Sequence, residues 1–175
     1  MRWHTHAVRG VLNGYVTAPT GCLEHSAETD ELNAFWKLTN PSLCAWERKR
    51  QWDGIAVSGT TAANLQQMGD FYLSPYRMTA PMRINTRNES LSFVKREIAE
   101  QDIVWLDGLP ATKPERTLVD LCLDCEDPSL IIDAYNDALG RGPDIQRLKD
   151  LVKENSKTAK RRELMRPLLV VLGCA

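Results

Sequence analysis

Read for its alternation of apolar and polar positions, the chain opens without a clear period. Val8, Val11, Tyr15 and Val16 are interrupted by Gly10, Asn13-Gly14 and Pro19-Thr20-Gly21, a pattern of short extended pieces and turns. From Ser26 the spacing becomes helical: Leu32, Phe35, Trp36 and Leu38 share a face, and Asp30 and Glu31 suit a first turn. Asn40-Pro41 joins a capping side chain to a proline at the first helical position. It predicts a second helix to about Trp52, carrying Leu43, Cys44, Trp46 and Trp52. Asp53-Gly54 then turns the chain into an extended piece at 55–57, and Ser58-Gly59-Thr60-Thr61 opens a third helix that Gly69 closes.

Between Tyr72 and Pro110 the pattern is β-leaning. Short pieces at 76–79, 83–86, 91–94 and 103–106 are separated by turns and predict a small, mostly antiparallel sheet. Asp107-Gly108 fits a two-residue hairpin, with Pro110 expected on an edge strand where no ladder donor is lost. Thr112-Lys113-Pro114-Glu115 places a hydroxyl at an N-cap and a carboxylate three residues on, with proline in the first turn. The helix that follows has Leu118, Leu121, Cys122 and Cys125 as its buried stripe. Asp127-Pro128 starts another helix, which Gly140 ends. Further helices are predicted over 144–152 and 156–172, the last kinked or restarted at Pro167. The fold class is α+β, with helices before the sheet and a helical C-terminal half.

Composition adds limits rather than a function. In 175 residues, 43% are hydrophobic and 26% charged, a balance that supports a globular core. No run approaches a membrane span and Met1 to His6 lacks a secretory apolar stretch, so a cytoplasmic location without membrane contact is expected. Five cysteines without regular spacing favour free thiols over a disulfide framework. The formal charge is only −1, but it is unevenly spread. Residues 97–137 hold eleven acidic side chains against Lys113 and Arg116, whereas 141–166 hold nine basic against four acidic. Lys157, Lys160 and Arg161 fall at spacings of three and four on the last predicted helix, with Arg162 further round. They are the candidate polyanion-binding residues.

Three stretches taken in order carry a family resemblance: Val57-Ser58-Gly59-Thr60-Thr61-Ala62-Ala63, Met78-Thr79-Ala80-Pro81, and Asp107-Gly108-Leu109-Pro110-Ala111-Thr112 running into Glu115-Arg116-Thr117-Leu118-Val119-Asp120-Leu121. Over roughly residues 31–152 the chain resembles the AbiEi antitoxins of type IV toxin-antitoxin, or abortive-infection, systems of phage defence. The resemblance implies a cytoplasmic antitoxin domain that counteracts a nucleotidyltransferase-like toxin. It also implies an N-terminal winged helix that binds DNA as a transcriptional regulator of its own promoter. Residues 1–25 are too few for such a unit and are read as an arm or the remnant of a wing, with residues 26–175 as the antitoxin domain. Contact with DNA is therefore expected to be weak and salt-dependent. Ser58, Thr61, Thr112, Arg116 and Asp120 are the family-motif residues, expected to be mainly structural.

No catalytic, metal or cofactor site is assigned. Arg116 and Asp120 stand four apart with the basic residue first, the weaker order for an exposed helix pair, so partners elsewhere are expected. A metal-dependent nuclease built on Asp102, Asp107, Glu115 and Asp120 is the enzymatic alternative, and a bare protein-interaction module is another. Gly59-Thr60-Thr61 lacks the lysine of a phosphate-binding loop, and Ser58 lacks the glycines of a nucleophile elbow. His4, His6, Cys22 and His25 have zinc-compatible chemistry at an unusual spacing and are expected to be incidental. Trp36, Trp46, Trp52 and Trp105 are expected in the core, with Trp3 exposed.

Overall fold

A computed structural model describes residues 27–174. The N-terminal arm, its histidines, Trp3 and Cys22 lie outside the described residues. The chain divides into two compact units, one ending at Gln51 and the other starting at Trp52.

In the first unit, α1 spans Ala27–Thr39 and α2 spans Ala45–Arg50. The second helix starts later than Asn40-Pro41 predicts. The Asn40 side chain accepts from the Ser42 hydroxyl instead (2.8 Å), and Glu47 folds back to accept from the Cys44 backbone N–H (2.9 Å). Arg48 is buried, with its guanidinium 4.0 Å from the Trp36 ring centroid and Nη1 donating to the Trp36 carbonyl at 2.5 Å. Trp46 is exposed, contrary to its core assignment, because it opens a helix of only six residues whose buried position is Arg48.

The second unit is built on a five-stranded sheet. Its strands are β1 (Ala56–Val57), β2 (Tyr76–Ala80), β3 (Leu91–Lys95), β4 (Ile103–Leu106) and β5 (Leu109–Thr112), ordered β3-β2-β1-β5-β4. The sheet is mixed rather than mostly antiparallel: β1 runs antiparallel to β2 but parallel to β5, and β2 runs parallel to β3. Of the strand pairs joined directly in sequence only β2 and β3 are parallel, and the loop over 81–90 makes the crossover which that direction requires. Residues 83–86 belong to that loop and form no strand. The Asp107-Gly108 hairpin is as expected, pairing Leu106 with Leu109, and both turn residues have positive φ (48° and 84°). However, β5 is an interior strand. Pro110 is tolerated because its ladder with β1 is the single pair Val57↔Ala111.

The remaining helices are α3 (Gly59–Leu65), α4 (Pro114–Leu123), α5 (Pro128–Leu139), α6 (Ile145–Asn155), α7 (Ala159–Leu164) and α8 (Arg166–Val171), with a 3₁₀ turn at Glu100–Asp102. Pro167 restarts the last stretch as a separate helix, so the expected 156–172 helix is two short ones. Leu118, Leu121, Ile131, Leu148, Leu151, Met165 and Leu168 join the main apolar core of this unit. Cys122 lies in it too, where burial pushes its thiol pKa up to about 12. Cys125 does not. Helix α4 ends before it and Cys125 takes a positive φ of 62° on the surface. Among the described residues no helix is long and apolar enough to cross a membrane.

Candidate functional site

The motif segments meet where β1 feeds α3 and β5 feeds α4. Ser58 precedes α3 in extended conformation and is fully buried, with no partner for its hydroxyl among the described residues. One turn on, the buried Thr61 hydroxyl donates to the Leu73 carbonyl (3.2 Å) and accepts from the Arg77 backbone N–H (2.8 Å), tying α3 to β2. Thr112 is the last residue of β5 rather than the helix N-cap. That position belongs to Lys113, and the Thr112 hydroxyl instead shares a 2.7 Å hydrogen bond with that of Thr117. Glu115, the expected capping carboxylate, accepts from the Asp144 backbone N–H at 2.6 Å and so holds the start of α6.

Arg116 and Asp120 do pair, despite the unfavourable order. The Arg116 Nε donates to Asp120 Oδ1 at 3.0 Å. The ordering rule describes exposed helix surfaces, and here the Asp120 side chain is wholly buried. The same oxygen accepts from Arg96 Nη1 (2.9 Å), whose Nη2 donates to Asp124 Oδ1 (2.9 Å). Arg77 Nη1 completes the group, 3.0 Å from Asp124 Oδ2 and 3.3 Å from Glu126. Three guanidinium groups thus face three carboxylates. Burial nevertheless raises the pKa of Asp120, against the lowering pull of Arg116 and Arg96, and its Oδ2 has no hydrogen-bond partner among the described residues. Arg77 and Arg96 carry no local sequence signal: Arg96 merely follows a strand, and only the β2–β3 register brings it over α4. Asp124 stands four residues beyond Asp120 at the end of α4, so its place on that face is local.

Above this network lies an open groove of about 850 Å³ between the end of β3, α4 and the α6–α7 junction. Lys95, Arg96, Arg116, Lys160 and Arg161 line it, together with Glu97 and Glu154. The expected basic stripe is therefore divided. Lys160 and Arg161 border this groove, Lys157 sits in the bend before α7, and Arg162 lines a second groove of about 440 Å³ with Lys149 and Lys153. The short α7 begins only at Ala159, which removes Lys157 from its face.

The acidic residues considered for a metal site are dispersed. Asp102 takes a bidentate pair from Arg147 (2.8 and 2.7 Å), Asp107 is in the hairpin turn, and Glu115 and Asp120 have the partners above. Among the described residues no three His, Cys, Asp or Glu side chains are grouped to hold a metal ion. No protein-family model, curated protein or solved structure matches this chain.

Proposed function

We propose that the chain is an AbiEi-like antitoxin module that counteracts a nucleotidyltransferase-like toxin and catalyses no reaction of its own. One observation carries this reading: four of the five polar motif residues, all but Ser58, make hydrogen bonds inside the fold. Arg116 and Asp120 pair with each other and with Arg96, while Thr61 and Thr112 bond to neighbouring segments. A motif used in this way specifies a scaffold, and a scaffold suits a module that works through its surface. Any contribution to transcriptional autoregulation would come from phosphate contacts by exposed cations such as Lys157 and Arg162, which makes it salt-sensitive.

The reading predicts a nucleotidyltransferase-like toxin gene beside the gene for this chain, and the test is co-expression with that toxin. Growth should be restored by the wild-type chain, and the purified protein should leave DNA and RNA intact in magnesium or manganese. Failure to restore growth with folded protein present overturns the reading. Cleavage that Asp120→Asn abolishes would replace it with the nuclease.

A further inference from the structure

Arg116 is the starting point. Its side chain is nine-tenths buried, yet only Nε has a partner among the described residues, namely Asp120. The two terminal nitrogens, with four N–H donors, are left without one on a side chain that lines the groove. A largely buried arginine whose unused terminal nitrogens open onto a cavity wall has the geometry to receive two oxygens of one planar anion. It is also fixed in advance, because Asp120 holds its Nε at 3.0 Å and the neighbouring Arg96 is clamped by two carboxylates.

The charge balance of the groove selects the anion. Asp120 and Asp124 lie behind the two arginines and neutralise them. What remains on the rim is Lys95, Lys160 and Arg161 against Glu97 and Glu154, and Glu154 also faces Arg147 at 3.9 Å, so the positive excess is one to two charges. A groove of this size would hold several phosphates of a nucleic acid, each carrying a charge that so small an excess cannot balance. Among the described residues it has no aromatic side chain on which a base could stack. It does offer Leu123 and Leu164, both half-buried, as apolar walls. The ammonium groups of Lys95 and Lys160 have no partner among the described residues.

We infer that this groove binds an extended peptide segment of a partner protein through one Asp or Glu carboxylate. That carboxylate is received by the terminal nitrogens of Arg116, and apolar side chains on either side of it rest on Leu123 and Leu164. The inference stands on the groove alone and does not require the partner to be a toxin.

The experiment is an NMR titration of the ¹⁵N-labelled full chain. The probe is a short capped peptide with one glutamate between two leucines. A glutamine version of the peptide and a short oligothymidylate serve as comparators. The glutamate peptide should shift the Arg116 side-chain resonances and the Lys95, Lys160 and Arg161 amides saturably, with the glutamine peptide at least about tenfold weaker. Arg116→Lys keeps the charge but loses the fork and should weaken binding about tenfold. Should that variant fail to fold, Lys160→Glu with Arg161→Glu alters only exposed positions and should weaken binding too, while Lys153→Glu, outside this groove, should not. Equal binding of the two peptides, shifts confined to other surfaces, or unchanged affinity in the rim variant would overturn the inference. So would saturation of the groove by oligothymidylate at lower concentration than the peptide, which would make it a nucleic-acid site.

Discussion

Asp120 shows how burial changes the meaning of a sequence pattern. At an exposed site an Arg-to-Asp spacing of four with the basic residue first is worth little, so the two residues predict no bond. Inside the fold the competing water is gone, and Asp120 becomes the shared acceptor of Arg116 and Arg96. Asp120→Ala should cost about 3 kcal/mol, because two largely buried guanidinium groups lose that acceptor. Arg116→Ala should cost less, since Arg96 still holds the carboxylate. Urea unfolding of both variants checks the order, and equal midpoints for wild type and Asp120→Ala would refute it. The titration of Asp120 gives a separate sign. Its folded pKa lies above the ordinary 3.8, so between the two values the native chain holds more protons than the unfolded one. Stability from this group is greatest at the acid end and falls as pH rises through the folded pKa. Relative to Asp120→Asn, the wild type should therefore gain stability as the pH drops from neutral toward about 4. A relative loss over that range would contradict the raised pKa.

At the scale of elements, helices with strong caps and the hairpin were readable, because their signals are local. Asp127 accepts from the Ser129 N–H, Asp144 accepts from the Arg147 N–H, and Asp107-Gly108 makes the predicted turn. What could not be read was order in the sheet: nothing near Pro110 says that β1, far earlier in the chain, will pair beside it, and strand direction follows from such non-local pairing. The candidate site divides in the same way. Arg116 and Asp120 stood out on the helix pattern and Asp124 continues their spacing of four at the end of α4, whereas Arg77 and Arg96 reach them only through strand register. Two glycines separate local strain from long-range crowding. Gly108 (φ 84°) has nothing within 4 Å of an added Cβ, so Gly108→Ala should cost about 1 kcal/mol from backbone strain alone. Gly59 (φ 56°) would place that Cβ 2.9 Å from Arg77 Cδ and 3.0 Å from Asp124 Oδ2. Gly59→Ala should therefore cost at least about 1 kcal/mol more than Gly108→Ala, by disturbing the ion network as well. Equal losses in thermal unfolding would mean that the network yields freely.

For the Trp52–Ala175 unit as a whole, the uneven charge along the sequence has one clear structural outcome. The acidic stretch and the basic stretch that follows it are joined where Arg147 on α6 reaches Asp102, in the 3₁₀ turn before β4. Asp102 is almost wholly buried, and its effect on Arg147 is to raise that guanidinium's pKa through their hydrogen bonds. Together with the Glu115 carboxylate on the Asp144 N–H, the pair pins the start of α6 to the end of the sheet, while Leu148, Leu151 and Val152 anchor the rest of that helix in the apolar core. The two single substitutions should not be equivalent. Arg147→Met leaves a buried carboxylate without its partner, whereas Asp102→Asn leaves a guanidinium that is one-quarter exposed and has Glu154 at 3.9 Å. Arg147→Met should thus cost the more of the two, about 2–4 kcal/mol, and the double variant should recover part of the loss. The coupling energy from the cycle should be about 1–3 kcal/mol. Hydrogen exchange should show weaker protection at the first turn of α6 in Arg147→Met, with the amides around Leu151 less affected, because the apolar anchor remains. Additive losses in the cycle would mean that the core alone holds α6 and that the charge pattern contributes nothing to its placement.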